Sequence, residues 1–429
     1  MIVTYLDRHL PRAAIAALCC LALLAFAPGA ATAAKGSPRY PAGATRPAFV
    51  VSPGQLGRAA RAASRRSKKP KHKRAPALHG NPARAQAGFQ AMQKAYYIAG
   101  SGLYEGEPFS FLWPFSQALA ATVSLANVPV LRPLMTRELK ARLIGLRSYL
   151  DLNNSGAPEG FYTSTLPAFD GTVAPPAGPG GAKYYDDNDW IGIELMRTYR
   201  LTHEPSLLGS AEGIMAFEMG GWQGSPELGC SGGLPFTNLA ENTDRNTITT
   251  APAAELALQL YKVTGNAQYL QFAIQAYEWV RRCLLLPSQM YGDHVNRRGV
   301  VEPHLYSYTQ GVMIGAGTLL YQATGYAGFL YQARQTAAAA LAYFTPERLG
   351  AENPFFPSTY FRNLLYLDSV THDPPGPKIA QAYVDYAWSH LRLSNDLFVA
   401  GSPPSGQLLV QAAIVQIYAL LSSPPSTYF

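Results

Sequence analysis

Apolar residues recur at helical spacing from about residue 86 to the C-terminus, and strand-type alternation is scarce. The pattern predicts twelve helices, near 86–100, 111–127, 135–150, 187–202, 205–219, 246–264, 266–284, 305–324, 327–343, 357–369, 376–394 and 405–421. Three segments repeat one another. Arg200-Leu201-Thr202-His203 is followed by Leu208 and Ala211, Lys262-Val263-Thr264-Gly265 by Leu270 and Ala273, and Gln322-Ala323-Thr324-Gly325 by Leu330 and Ala333. In each, the Leu follows the Thr by six positions and the Ala by nine, and the Thr residues are 62 and 60 positions apart.

The repeat has a physical reading. Thr-Gly or Thr-His ends one helix, glycine suiting the left-handed position just past a helix. After a tight turn a second helix opens, with its Leu and Ala three apart on one face. The unit is a helical hairpin of about 60 residues. Twelve helices make six hairpins, the number that closes an all-α (α/α)6 toroid; an open solenoid is the competing arrangement. Pro- and Gly-rich loops such as 174–181 would crown one end, where a site is expected.

Composition adds a division of the chain. Apolar residues are 48% and charged residues only 14%, so a large core can form, and the 26 tyrosines offer flat faces with hydroxyls that suit either sugar binding or helix packing. The formal charge of +8 is unevenly placed. Residues 35–84 hold thirteen Lys or Arg and no acid, whereas residues 85–429 hold twenty basic and twenty-six acidic side chains. Residues 1–33 read as an export signal: Arg8 and Arg12, then the apolar run 13–27, then Ala31-Thr32-Ala33 as a cleavage site. Residues 34–85 read as a basic disordered linker and 86–429 as the folded domain. The expected location is extracellular or cell-wall associated. The basic tail would contact an anionic wall or membrane surface or act as a solvated spacer, and nucleic acid is not expected. Cys230 and Cys283 remain after the signal and are able to pair in an oxidising compartment. No Cys/His spacing suits zinc and no glycine-rich phosphate loop appears, so neither a metal nor a cofactor is expected.

The densest chemistry lies in Lys183-Tyr184-Tyr185-Asp186-Asp187-Asn188-Asp189-Trp190, where a Pro/Gly loop runs into a helix. Helix capping accounts for one Asp. It does not account for three acids and an Asn among Tyr184, Tyr185 and Trp190. Calcium is conceivable, but the spacing fits no EF-hand loop. Glycosidic cleavage needs two carboxyl groups, one to protonate the leaving oxygen and one to attack carbon or activate water, and close carboxylates push their pKa values apart. Asp186 and Asp187 are the candidate pair. Trp222 after Gly220-Gly221, Asp244 and Asn246 before one long helix, and Tyr306, Tyr308 and Gln310 before another lie at the same hairpin phase. In a toroid these starts converge.

These segments resemble glycoside hydrolase family 76, the endo-α-1,6-mannanases and their fungal cell-wall relatives. The family's Tyr-Asp-Asp-Asn with a nearby Trp is matched at Tyr185 to Asn188 and Trp190. Its Gly-Gly-aromatic segment is matched in part at 220–222, its basic-Asn at Arg245-Asn246, and its Tyr-x-Tyr-Asn-Gln-Gly at Tyr306, Tyr308, Gln310 and Gly311. The resemblance implies a secreted retaining hydrolase of α-1,6-mannan or a wall lipoglycan, with transglycosylation as a variant. Asp186 would be nucleophile and Asp187 general acid/base. Tyr185, Asn188, Trp190, Trp222, Asp244, Asn246, Tyr306, Tyr308 and Gln310 would contact sugar. Thr309 and Thr250 depart from family Asn positions, and Gln223-Gly224-Ser225 follows Trp222 where a second aromatic is usual. Competing readings are another (α/α)6 enzyme, of the unsaturated glucuronyl hydrolase or sugar epimerase type with His294, His304 or His372 as its base, and a non-catalytic wall-glycan-binding protein.

Overall fold

The computed structural model describes residues 78–154, 163–373, 375–401 and 406–429. The expected export signal and nearly all of the expected linker lie outside the described residues.

Among the described residues twelve long helices form, with bounds within a few residues of those read from periodicity: α1 (Gly80–Tyr96), α2 (Leu112–Asn127), α3 (Arg132–Leu146), α4 (Tyr185–Thr202), α5 (Pro205–Gly220), α6 (Thr247–Thr264), α7 (Ala267–Leu284), α8 (Ser307–Thr324), α9 (Ala327–Tyr343), α11 (Phe355–Thr371), α12 (Gly376–Tyr386) and α13 (Leu408–Leu420). A short α10 (Pro346–Ala351) precedes α11. The first helix starts at Gly80, not near 86, so the last residues given to the linker are helical.

The Thr of each repeat closes its helix in one way. Thr202, Thr264 and Thr324 donate their hydroxyls to carbonyls four residues back, at 2.9, 2.8 and 2.7 Å. The next residue is left-handed, with φ of 56° at His203, 69° at Gly265 and 72° at Gly325. Thr371-His372 repeats the device, with φ 57° at His372. Beyond each turn the repeat Ala is buried, as at Ala211, Ala273 and Ala333.

Six helices are buried nearly all round, as inner elements must be. They pack in the ring α2–α4–α6–α8–α11–α13, and α13 returns to α2. The ring is therefore closed: an (α/α)6 barrel, not an open solenoid. α3, α5, α7, α9 and α12 each pack outside the inner helix that precedes them. α1 covers α13, so the sixth hairpin joins the two ends of the folded body. A large-to-small change in this core, such as Leu256→Ala, costs about 2–5 kcal/mol.

Turns from inner to outer helices are short, as at 203–204, 265–266 and 325–326. Segments from outer to inner helices are long, as at 147–184, 221–246 and 285–306. All long segments thus gather at the N-terminal end of the inner helices. They carry the only strands among the described residues: β1 (Leu150–Asp151) antiparallel to β2 (Ala168–Phe169), and the antiparallel sheet β3 (Arg245–Asn246), β4 (His294–Val295), β5 (Val301–Glu302).

Candidate active site

Asp186 and Asp187 lie in the first turn of α4, at the loop-bearing end. Their neighbours fix that turn. Tyr185 is fully buried, stacks on Phe217 of α5 at 4.6 Å with rings 16° apart, and hydrogen-bonds Thr163 at 2.8 Å. Gly221 makes this possible, because a Cβ there would stand 2.2 Å from the Tyr185 hydroxyl. Asn188 accepts from the Phe169 amide at 2.9 Å and donates to the carbonyls of Phe169 and Tyr184 at 3.0 and 2.8 Å. Gln310 is used in the same way: it accepts from the Tyr291 amide at 2.8 Å and donates to its carbonyl at 3.0 Å. Tyr185, Asn188 and Gln310 were expected to touch sugar. They have no accessible surface, and their polar atoms are spent on backbone and neighbours, so their placement makes them positioning residues.

The other expected residues converge in part. Tyr306 and Tyr308 open α8, half-buried, with rings 5.6 Å apart; Tyr308 stacks on Phe356 at 4.2 Å. Trp190 is buried, edge-on to Phe355, with its indole N–H unpartnered. Asn246 caps α6 through its backbone only, and its Oδ1 has no partner. Asp244 is half-exposed, 3.6 Å from His294 Nε2. Trp222 lies away from the aromatic group, against Phe272 and Trp279 of α7. His304 rests on Tyr306 at the same end as the dyad, whereas His372 caps α11 at the other end.

The sequence reading missed Trp113 and Phe356. Trp113 opens α2, meets Phe355 edge-on at 5.4 Å and has an unpartnered indole N–H. Both are aromatics at the start of an inner helix, a signal available once the phase of the hairpins is known. The disulfide Cys230–Cys283 forms, with Cα atoms 6.0 Å apart. It ties the 221–246 segment to α7. Arg245 reinforces that segment by donating to the carbonyls of Thr243 at 2.8 Å and Asn296 at 3.1 Å.

The two dyad carboxyls are electrostatically unequal. Burial raises the pKa of both. The backbone N–H groups of Asp186 and Asp187 pull the Asp186 pKa down against that burial. Asp187 has no such compensation, and the Asp186 charge raises it further. Asp186 keeps some solvent contact, whereas Asp187 is buried. No group of His, Cys, Asp and Glu among the described residues is arranged to hold a metal.

A column of polar groups runs down the barrel from the dyad, and its first member, Asp189, is one turn below Asp186. Burial, then the charges of Asp186 and Glu255, hold the Asp189 pKa well above the usual carboxylate range. Neither Asp189 oxygen has a partner. Glu218 is raised in the same way, and burial pushes Glu255 up to about 8 against the pull of Arg362. Gly315 gives Glu255 and Asn363 room, since a Cβ there would overlap both. Arg362 stands 3.1 Å from Glu194, which Arg197 also holds at 2.8 Å.

Residues 167–365 match the model of Glycosyl hydrolase family 76. Among curated proteins, Mannan endo-1,6-alpha-mannosidase DCW1 of Candida glabrata is 27% identical over 22% of this chain and 24% of its own length. The Saccharomyces cerevisiae DCW1 is 25% identical over 33% of this chain and 34% of its own. The chain thus matches about a quarter to a third of these relatives. A GH76 alpha-mannanase structure from Bacteroides thetaiotaomicron superposes with TM-score 0.71 at 21% identity, covering 80% of this chain and 96% of that one. An inactive variant of an alpha-1,6-mannanase from Salegentibacter, with Asp→Asn changes at two consecutive positions and α-1,6-mannotriose bound, superposes with TM-score 0.62 at 19% identity, covering 80% of this chain and 99% of that one.

Proposed function

From the premise that residues 167–365 carry the glycosyl hydrolase family 76 pattern, on the (α/α)6 fold of that family's structures, we propose that this protein is an endo-acting α-1,6-mannanase with Asp186 and Asp187 as its catalytic pair. The observation that carries the reading is the placement of two consecutive carboxyls in the first turn of α4, at the loop-bearing end of the barrel. The consecutive Asp→Asn changes in the inactive Salegentibacter variant support it.

In this reading the two carboxyls divide the work. The Asp187 carboxyl gives its proton to the glycosidic oxygen as the bond breaks. Asp186 Oδ attacks the anomeric carbon and forms a glycosyl ester. Asp187, now anionic, takes a proton from water, whose oxygen displaces Asp186 and restores the carboxylate. Two displacements retain configuration. An acceptor sugar in place of water gives transglycosylation. Tyr306, Tyr308, Trp113 and Phe356 supply faces for the apolar sides of sugar rings. Action on wall or foreign mannan fits the expected export, and the protein is proposed to work outside the cell.

The test is a time course of the full chain on linear α-1,6-mannan, reading product lengths and, by NMR, the first anomer released. The proposal expects mixed short oligosaccharides of α configuration. Binding without cleavage would replace it with the glycan-binding reading, and a β first product would remove the two-step mechanism.

A further inference from the structure

A cavity of about 270 Å³ lies at the C-terminal end of the inner helices, away from the dyad. Along α4, fourteen residues separate Asp186 from Arg200, or about 21 Å at 1.5 Å per residue. The cavity is lined by Arg132, Arg197 and Arg200 with Asn127, Ser426 and Thr427, and by no carboxylate. Its volume is just below the range of about 300–1,000 Å³ usual for organic ligands, which suits a small group better than a glycan chain.

The charge around it is unbalanced. Arg197 is paired with Glu194, but Glu194 also serves Arg362. Arg200 Nη2 is buried with no hydrogen-bond partner among the described residues. Lys262 adds to the imbalance: burial and the Arg200 charge both lower its pKa. Glu255 does not offset it, because burial pushes its pKa to about 8 and leaves it largely protonated at neutral pH. An arginine stationed only for the helix dipole would donate to the free carbonyls of the last turn. Arg200 does not, whereas Arg132 and Arg197 do take carbonyls, those of Ala126 and Thr427, each at 3.1 Å. Burial and the Arg197 charge lower the Arg200 pKa to about 10 against the pull of Tyr366 and Glu194, so Arg200 stays charged at neutral pH with its buried Nη2 donor unmet. Its planar donors match the oxygens of a phosphate.

We propose that this cavity is a second binding site, for a phosphate-sized oxyanion, either free or as the monoester group of a phosphorylated sugar. Arg200 and Arg132 are its main donors, and Ser426, exposed at the mouth, adds a hydroxyl. The proposal does not depend on the catalytic reading.

Calorimetric titration of the full chain with inorganic phosphate at low ionic strength tests it, with Arg200→Gln and Arg132→Gln alongside. The expected result is saturable binding at one site, weakened about tenfold or more in each variant, the usual loss for a charged hydrogen bond. Mannan turnover without phosphate should be unchanged. Mannose 6-phosphate competing while mannose does not would identify a tethered phosphate; phosphate binding alone would identify a free anion. Absent binding, or binding unchanged in both variants, overturns the proposal. Arg132 is exposed, so its variant keeps the test valid if Arg200→Gln does not fold.

Discussion

The first turn of α4 holds Asp186, Asp187 and, just below, Asp189, with no cation paired to any of them among the described residues. The far half of the same helix holds Arg197 and Arg200 and presents them to a cavity without carboxylates. Helix dipoles explain the signs, since anions favour N-termini and cations C-termini. They do not explain the difference in how the two ends bear burial. A dipole contributes about 0.3–1 kcal/mol, whereas burying an unpaired charge costs several. A carboxyl escapes by keeping its proton, which is what the raised pKa values of Asp187, Asp189 and Glu255 express. A guanidinium cannot, and must find an anion. One end therefore stores protons suited to acid catalysis, and the other stores fixed positive charge suited to binding.

The largest effect is expected where the two ends meet, at Glu194. Glu194→Gln leaves Arg197 and Arg362 buried without their shared carboxylate and should destabilise the fold by about 3–5 kcal/mol, read by urea unfolding. Next is Cys283→Ser, which frees the segment before α6; loss of the 53-residue link should cost about 2–4 kcal/mol and leave the basic end unaltered. Gly221→Ala places a methyl against Tyr185 at the base of the dyad. Overpacking there should cost about 1–3 kcal/mol and lower kcat more than it changes KM.

The proton-storing end also predicts a pH profile. Glu255 has a folded pKa of about 8 against an ordinary value of 4.5. Below 4.5 both states are protonated and its full contribution is present. Between 4.5 and about 8 the unfolded chain loses the proton first, so stability falls as pH rises. Glu255→Gln should flatten the decline of Tm across that window, while Arg200→Gln should leave its slope unchanged. The smallest effect belongs to Asp244→Asn. Its half-exposed contact with His294 should be worth less than about 1 kcal/mol in stability. A larger change in KM would place Asp244 against substrate.

Much of this architecture was legible because its signals are local. The Thr-Gly ends and the Leu and Ala at fixed offsets are set within a few residues and appear where the pattern put them, while helix bounds shift by a few residues, most at the first helix. The closure of α13 onto α2 under α1 was legible only through the count of six hairpins, since it joins segments about 300 residues apart and has no local signal. The site was half legible. Polar and aromatic residues at inner helix starts do converge, but neighbours in a helix point 100° apart. Hence Tyr185 is locked against α5 beside Asp186, and Gln310 is bonded to Tyr291 while Tyr308 stays half-exposed. Glu255, Arg362 and Asn363 carried no motif; only closure of the barrel gathers them.

The central claim is the division of labour between Asp186 and Asp187. Its most direct test compares Asp186→Ala and Asp187→Ala on linear α-1,6-mannan and on α-1,6-mannobiosyl fluoride, whose leaving group needs no proton. The account predicts that both variants lose mannan cleavage by about a thousandfold or more, while only Asp187→Ala still releases fluoride rapidly. Mannan cleavage surviving in either variant, or fluoride release surviving in Asp186→Ala instead, would contradict it.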